Sequence, residues 1–398
     1  MSLLVRDIGT VRGAVRVRRT RVAYLICSGG LGGGEMLLLN HLAHADRDAF
    51  DPLVVCATEG PLAERLGRLG VPVFILPIHR QAQALGRVRV PIPSIVWRLV
   101  QLLRREGVGL IHSYTMDSRN YAHAAGLLTA CPVIHTSHDF WNQFKAIQRW
   151  VMNRIPARII VVSETVRQSL CAGNRLDPAR VALIKPGVDI GRFVPRDGQD
   201  YVRTEFGLPS DTPLVGIVGR FSAVKGFDTF LEAAALVVHQ LPAARFLVVG
   251  GAVLPFDHYA EEIPRVIGRL RLHGHVILTG FRDDVPRLMA GMDVLVSASP
   301  RESYPTVLME AAACGRPVVA TRSGGGEEIV IQGETGLLVP PKNPSAMAEA
   351  IVALLTQPQQ AAVMGRAARS RAEERFDLIQ MVRRVETEYR AILNGHSR

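Results

Sequence analysis

The most informative part of the chain is residues 297–330, SASPRESYPTVLMEAAACGRPVVATRSGGGEEIV. It continues the mainly apolar segment MDVLVSAS, which begins at Met292 and has the run length of a buried parallel strand rather than the alternation of an exposed one. The good helix formers of TVLMEAAAC follow Pro305, so we expect a sharp loop and then a helix that starts just after this proline. A strand, a loop and a helix in this order are typical of a parallel α/β sheet.

Two glutamates in this segment, Glu302 and Glu310, stand eight residues apart. The first falls on the predicted loop and the second about one turn inside the predicted helix. The free amides and the dipole of the helix start suit an anion such as a pyrophosphate, whereas two flanking carboxylates suit hydroxyl groups. The pattern therefore indicates a nucleotide-sugar site, although a lone pair of this kind more often has no shared function.

A second segment, GIVGRFSAVKGFD at residues 216–228, has the same strand-loop-helix pattern and leads into the helical sequence TFLEAAALVVHQL. We expect Arg220 and Lys225 to project from its loop. Ligands of open α/β sheets bind at the carboxyl ends of the strands, where two cations would neutralise a leaving diphosphate. The alternative is a pair of solvated surface charges.

Together these segments resemble the C-terminal domain of a retaining GT-B glycosyltransferase of family 4. The family's usual Gly-Phe-Gly after the first glutamate is Ser303-Tyr304-Pro305 here, which leaves the donor sugar open. In the first half, Gly32-Gly33-Gly34-Glu35 resembles the family's Gly-rich loop, which closes over the donor. The motif residues of the second half are, in chain order, Gly219-Arg220, Lys225-Gly226, Gly280-Phe281-Arg282, Asp293, Ser299-Pro300, Glu302, Glu310-Ala311, Cys314-Gly315, Pro317-Val318, Gly324-Gly325, Glu328 and Gly336-Leu337-Leu338-Val339.

The resemblance implies an α/β protein of GT-B architecture, with two Rossmann-like doubly wound domains that face a central cleft. The expected N-terminal, acceptor-side domain covers residues 1–193 and is joined by a C-terminal crossover helix at residues 376–398. Residues 194–375 would form the donor-binding domain, which begins with a polar interdomain connection at residues 194–212.

The resemblance also implies the reaction. A hexose or N-acetylhexosamine would pass from a UDP- or GDP-sugar to a glycan or lipid-linked acceptor with retained anomeric configuration, in cell-surface polysaccharide or glycolipid synthesis. No cofactor and no metal are expected, because cations and a helix N-terminus would do the work of a divalent ion. Two alternatives stay open: a GT-B sugar-nucleotide epimerase, and a non-catalytic protein that binds polyanions.

The same resemblance implies roles for individual residues. Arg220 and Lys225 would stabilise the departing diphosphate. Glu302 would hold hydroxyl groups of the sugar, and Glu310 those of the ribose. The other expected contacts to the donor are Gly33, Gly34, Phe281, Arg282, Tyr304, Pro305, Thr306 and Val307.

Two histidines, His112 and His138, stand at or just past predicted strand ends, where binding residues collect. A lone histidine is more often structural. The resemblance favours a catalytic role for His138, which would face the donor sugar across the cleft. His112 falls in the acceptor-side region, where the resemblance assigns it no definite role.

The composition is that of an ordinary soluble α/β protein, 48% hydrophobic and 21% charged, and 398 residues suffice for two domains. No segment reaches the apolar length needed to span a bilayer, and we see no secretory signal before the first strand. Five widely spaced cysteines without a C-x-x-C pair are typical of reduced core residues. We therefore expect a cytoplasmic protein.

The net charge of +11 is unevenly spread: residues 1–192 hold 25 basic and 13 acidic side chains, net +12, and the remainder 22 and 23, net −1. Such asymmetry indicates an anionic partner, which is nucleic acid, an anionic membrane surface or an acidic substrate. No nucleic-acid-binding module accompanies it, so nucleic acid is not expected. We predict peripheral association with the inner face of the cell membrane, through the Arg-rich residues 6–21 and a basic aromatic helix from Trp141 to Arg154.

Overall fold

A computed structural model of the chain gives its architecture. It describes residues 19–84, 88–138, 144–195, 198–251 and 259–396. Most of the predicted basic arm and Trp141 lie outside the described residues.

The first half of the chain forms a parallel sheet and a separate hairpin. Its strands are β1 (Thr20–Ile26), β2 (Phe50–Cys56), β3 (Val73–Ile75), β4 (Gln81–Ala84), β5 (Val88–Pro91), β6 (Val108–Ser113), β7 (Val133–Ser137), β8 (Arg158–Val161) and β9 (Val181–Leu183). Seven of them pair in parallel in the order β3-β2-β1-β6-β7-β8-β9, whereas β4 and β5 form an antiparallel hairpin. The chain direction across the sheet reverses between β1 and β6, which is the switch point where such sheets bind ligands.

Helices cover both faces of this sheet. They are α1 (Gly33–Ala43), α2 (Pro61–Arg68), α3 (Pro93–Arg105), α4 (Met116–Thr129), α5 (Ala146–Arg154) and α6 (Glu164–Gln168). The side chains of β1 alternate between two buried faces, as expected of a strand covered on both sides. Val22 and Ile26 pack in one core with Leu38 of α1, and Leu25 packs in the other with Leu99 of α3.

The second half forms a six-stranded parallel sheet in the order β12-β11-β10-β13-β14-β15. The strands are β10 (Leu214–Val218), β11 (Arg245–Val249), β12 (Val276–Gly280), β13 (Val294–Ser297), β14 (Val318–Thr321) and β15 (Gly336–Val339). Its switch point lies between β10 and β13. The helices are α7 (Gly198–Glu205), α8 (Phe227–Gln240), α9 (Tyr259–Arg269), α10 (Val285–Gly291), α11 (Thr306–Ala313), α12 (Gly326–Ile329), α13 (Pro344–Thr356), α14 (Pro358–Arg375) and α15 (Leu378–His396).

The last helix, α15, returns to the first sheet. Met381, Val385 and Tyr389 share a buried core with Val22 of β1. The connection predicted at residues 194–212 contains a helix that was not expected, α7, which packs on α10. Two doubly wound parallel sheets confirm the predicted GT-B class.

Among the described residues, no helix combines the length and the apolar composition that a membrane crossing requires.

Candidate active site

The carboxyl ends of β10 and β13 bring the predicted cations and carboxylates together. After β10 the chain turns at Gly219 and Arg220, and a short 3-10 turn places Lys225 just before α8. Gly226 has φ +71°, and a Cβ there would lie 2.2 Å from the Ala298 carbonyl oxygen. Only glycine fits this position, and its close approach brings Lys225 to the loop that follows β13.

Lys225 and Glu302 form an ion pair, with Nζ and Oε2 2.8 Å apart. The backbone of Glu302 is fixed on both sides: its N–H donates to Ser323 O at 3.0 Å, and its carbonyl accepts from Gly325 N at 2.9 Å. Gly325 must be glycine, since a Cβ would lie 2.0 Å from the Ser303 carbonyl oxygen. The Glu302 carboxylate is therefore presented from a rigid loop.

Arg220 is exposed beside this pair and has no ion-pair partner in the described part of the chain. A guanidinium in this state is free to bind an anion, because it does not have to leave an internal carboxylate first.

Helix α11 begins at Thr306, directly after Pro305, as predicted. The first amides of a helix, here those of Thr306 and Val307, have no intrahelical acceptor and carry the positive end of the dipole. Glu310 lies one turn further and is partly buried. Burial raises the pKa of its carboxyl to about 7, against the opposing effects of Arg192 and Lys225. At neutral pH it can therefore act as donor or acceptor toward a hydroxyl group.

Two expected donor contacts, Phe281 and Arg282, have side chains in different surroundings. Phe281 is 57% exposed at the end of β12, next to the Gly251 backbone. Arg282 instead pairs with Asp284 at 2.7 Å and with Glu205 of α7 at 2.6 Å. Its guanidinium is held by these two carboxylates, and the predicted contact of Arg282 with the donor stays a prediction.

Tyr304 is buried, and its hydroxyl has no hydrogen-bond partner among the described residues. Burial, followed by the charge of Glu328, raises the pKa of the Tyr304 hydroxyl. The residue is therefore a neutral phenol that packs in a hydrophobic core with Leu308 and Ile329, and its predicted contact with the donor stays a prediction.

The remaining predicted residues lie at the carboxyl edge of the first sheet. Gly33 and Gly34 open α1, and nothing lies within 4 Å of where a Cβ would stand on either. The Gly32 N–H donates to Glu35 Oε2 at 3.1 Å, which ties the turn to the helix. A bare helix start of this kind leaves room for an anion to approach the backbone.

His138 follows β7, and its Nε2 is buried without a hydrogen-bond partner in the described ranges. A cavity of about 20 Å³, bounded by His138, Tyr114 and Met381, adjoins it and has room for about one water molecule. Burial lowers the pKa of His138 to about 4, partly offset by a hydrogen bond with the Tyr114 backbone. The imidazole is therefore neutral at pH 7.

His112 is a structural residue. It is fully buried on β6, and its ring nitrogens contact Tyr389 Oη at 2.6 Å and Thr136 Oγ1 at 2.7 Å. Since Tyr389 lies on α15, this histidine fastens the last helix to the first sheet and has no free nitrogen for a ligand.

The two halves touch near both ends of the site. Arg65 of α2 pairs with Asp283, two residues after Phe281, at 2.6 Å. Glu328 pairs with Lys185 at 2.8 Å and accepts from Thr165 N at 3.1 Å. The edges that carry Gly33 and Glu302 thus belong to adjoining parts of the molecule.

The sequence holds one Asp-x-Asp triplet, Asp46-Arg47-Asp48, which has to be weighed against the expectation of metal-independent chemistry. Asp46 accepts from two backbone amides of its own turn and pairs with Arg390 at 2.8 Å, and Asp48 pairs with Arg19. The triplet closes the turn between α1 and β2. No group of three or more metal-ligating side chains occurs among the described residues.

Two family models match the chain and cover most of both halves. Residues 31–192 match glycosyltransferase family 4, and residues 212–357 match the glycosyl transferases group 1. The chain belongs to the group 1 glycosyltransferases of family 4 type, and the resemblance inferred from its motifs is confirmed.

The chain is similar in sequence to named glycosyltransferases and in fold to a solved structure. A UDP-Gal:alpha-D-GlcNAc-diphosphoundecaprenol alpha-1,3-galactosyltransferase of Escherichia coli is 22% identical over 387 residues, 93% of this chain and 97% of that protein. A D-inositol 3-phosphate glycosyltransferase of Mycolicibacterium paratuberculosis is 34% identical over 281 residues, 66% of this chain and 62% of that protein. The crystal structure of Anabaena HepE with UDP and glucose has a TM-score of 0.82 and 25% identity, and covers 93% of this chain and 99% of that one.

Proposed function

We propose that the protein transfers a hexose or N-acetylhexosamine from a UDP- or GDP-sugar to a glycan or lipid-linked acceptor, with retained anomeric configuration and without a metal ion. One observation carries the proposal: Lys225, Arg220, Glu302 and the start of α11 meet at the switch point of the second sheet.

The chemistry of the donor suits this arrangement. Negative charge develops on the diphosphate as the bond to the sugar breaks, and fixed cations stabilise that charge without reorganising. Arg220 and Lys225 supply two cations, and the free amides of Thr306 and Val307 supply oriented donors. A protein with these groups does not need a divalent ion to neutralise the leaving group.

The carboxyl groups suit the hydroxyls of the same donor. Glu302 retains one oxygen for a sugar hydroxyl while the other binds Lys225. Glu310, titrating near neutrality, suits a ribose hydroxyl that can donate or accept. For retention we propose a front-face displacement, in which the leaving phosphate takes the proton of the incoming hydroxyl.

The relatives support a nucleotide-sugar donor and a sugar acceptor. The Anabaena structures contain UDP with glucose and UDP-glucose, and the E. coli relative uses UDP-Gal and a lipid-linked diphosphate acceptor. We extend these classes to the present chain, with a UDP-sugar as the first donor to test.

A panel of nucleotide sugars tests the function. We expect release of nucleoside diphosphate that requires both a donor and an acceptor, and an α-anomeric product from an α-configured donor in NMR spectra. Release of free epimerised sugar without an acceptor would identify an epimerase instead. Binding of polyanions with no turnover of any donor would identify the non-catalytic alternative. Lys225→Ala, purified in parallel, controls for contaminating transferases.

We further propose that the enzyme is a cytoplasmic protein that works at the inner face of the cell membrane. Adjacent helices α3 and α4 expose Trp97, Leu127 and Leu128, and Arg104 donates to the Leu128 carbonyl at 2.8 Å between them. Exposed apolar side chains beside arginines suit an anionic lipid surface. Another exposed aromatic side chain of the same half of the protein is Trp150 of α5.

A further inference from the structure

One arginine of the first half is buried, and no carboxylate of the described residues pairs with it. Arg119, in the second turn of α4, is only 4% exposed. Its Nη1 lies 3.5 Å from the Met116 thioether, and its guanidinium lies over the Phe144 ring at 5.1 Å. The neighbouring Asp117 pairs instead with Arg89. Among the described residues no carboxylate lies within ion-pair distance of Arg119.

Two buried histidines accompany this arginine. His123, one turn further along the same face of α4, is 3% exposed, and neither ring nitrogen has a partner in the described part of the chain. His135 on β7 is fully buried; its Nδ1 contacts Ser113 Oγ at 3.3 Å and its Nε2 has no partner there. Burial and then the charge of Arg119 lower the pKa of both imidazoles. Each is therefore neutral and carries one N–H.

A cation and three histidine nitrogens that have no partner among the described residues are costly to bury. Native proteins satisfy nearly all such groups, and exceptions cluster at functional sites. An anion would supply the missing counter-charge, because it accepts from a guanidinium and from imidazole N–H groups alike.

The cluster also lies where a ligand of this half would bind. Helix α4 begins three residues after β6, and His135 precedes His138 by three residues on β7. Strand β6 borders the switch point of the first sheet and β7 is the next strand, in which His135 pairs with Ser113, the last residue of β6. An anion held by Arg119 would therefore sit on the acceptor side of the candidate active site.

We propose that Arg119, His123 and His135 form a subsite for a phosphate group of the acceptor. The proposal rests on the proposed transferase function and specifies its substrate class as a phosphorylated acceptor. The planar guanidinium matches two phosphate oxygens, and the imidazole N–H groups serve the others. Two relatives have phosphate in the acceptors that their names give, diphosphoundecaprenol and inositol 3-phosphate.

Inorganic phosphate is the probe. The parent protein carries Arg220→Ala and Lys225→Ala, so that the donor site contributes little to anion binding. We expect millimolar phosphate to raise its Tm more than chloride of equal ionic strength. The extra shift should vanish in Arg119→Met and persist in Arg98→Met, which removes an exposed arginine of α3. General stabilisation by phosphate as a salt is common to both variants and cancels.

Stability without phosphate gives an independent readout. Arg119→Met replaces an unpaired buried cation with an apolar side chain of similar length, so its Tm should equal or exceed that of the parent. A lower Tm together with an undiminished phosphate shift would overturn the proposal and make Arg119 a structural partner of Phe144. Should Arg119→Met fail to fold, Arg119→Lys and His123→Phe carry the test: a reduced shift in both supports the subsite, and a full shift in both refutes it.

Kinetics separate this inference from the function on which it rests. With a phosphorylated acceptor, Arg119→Met should raise the acceptor KM about tenfold or more and leave the donor KM unchanged. An equal effect on an acceptor without phosphate would refute the subsite while transferase activity stands. Absence of all transfer, with the Arg119-dependent phosphate shift intact, would refute the proposed function and leave the anion site in place.

Discussion

Replacing Lys225 with alanine should separate catalysis from stability. Its ammonium pairs with Glu302 at 2.8 Å, and the two side chains are 31% and 20% exposed. A partly exposed pair of this kind contributes on the order of 0.2–1 kcal/mol to folding. Loss of one preorganised charge stabiliser lowers turnover by roughly 10²–10³-fold, about 2.7–4 kcal/mol of barrier. Lys225→Ala should therefore lose at least about a hundredfold in kcat with little change in Tm.

A double-mutant cycle with Glu302 tests why Lys225 matters. If the lysine only positions the Glu302 carboxylate, Lys225→Ala should cost nothing further in a Glu302→Ala background. If it also stabilises the leaving diphosphate, as we expect, a loss of about a hundredfold remains in that background.

The assay is release of nucleoside diphosphate at saturating donor, with melting curves recorded on the same preparations. Arg167→Ala is a matched control, because it removes another partly exposed ion pair, with Glu164 at 2.7 Å, from a helix outside the donor site. A Lys225→Ala enzyme that keeps turnover within a few-fold of the wild type at unchanged Tm would refute the phosphate role.

Four further predictions follow from the site and the surface. Arg220→Ala should lower turnover by at least about a hundredfold at unchanged Tm, and near-normal turnover would show that the exposed guanidinium does not reach the donor. Activity should persist in excess chelator, and its loss with rescue by magnesium or manganese would contradict the metal-independent proposal. The free energy of unfolding should fall as pH rises from 4.5, the ordinary pKa of the Glu310 carboxyl, through about 7, because the folded state holds a proton there that the unfolded chain releases. Glu310→Gln should therefore raise the free energy of unfolding by up to about 3 kcal/mol near pH 8 and not near pH 4. A difference that does not depend on pH would contradict the raised pKa. The protein should float with anionic vesicles at low salt and not with neutral ones, and equal behaviour with both would leave a soluble acceptor as the better proposal.

The strands of the sheets were predictable because parallel strands buried on both faces are continuous apolar runs. The predicted start at Met292 was two residues early, since β13 begins at Val294. Met292 instead fills the space beside Gly216, where a Cβ would lie 2.0 Å from its sulfur. A sequence pattern does not reveal that an apolar residue before a strand serves to pack against the neighbouring one.

Helix α7 was not predictable because tertiary contacts hold it. Arg203 donates to the carbonyls of Thr212 and Gly291 and pairs with Asp293 at 2.8 Å. The segment has eight residues, too few for a helix to be stable by its local sequence alone. Hairpin β4–β5 was missed for a similar reason, as Gln81 binds Asp117 of α4.

A contact of the site was predictable where both of its residues lie on loops that carry motifs, and it was not predictable where one of them lies on another element. Lys225 and Glu302 both follow strand ends, so their pairing follows from the adjacency of β10 and β13. The guanidinium of Arg282 pairs with Glu205, which lies on α7, a helix that the sequence did not lead us to expect. Arg119 gives a weak signal, an arginine and a histidine at i,i+4 in one helix, and only the structure shows that both are buried.

The loop that presents Glu302 is connected to the other half of the protein through a short chain of contacts. The Glu302 carbonyl accepts from Gly325 N. Glu328, three residues after Gly325, binds Lys185 and Thr165 of the first half. A rotation of one half against the other must therefore break the Glu328 contacts or carry the Glu302 loop with it. Because Glu302 also binds Lys225, the position of both charged groups of the donor site depends on how the two halves are arranged.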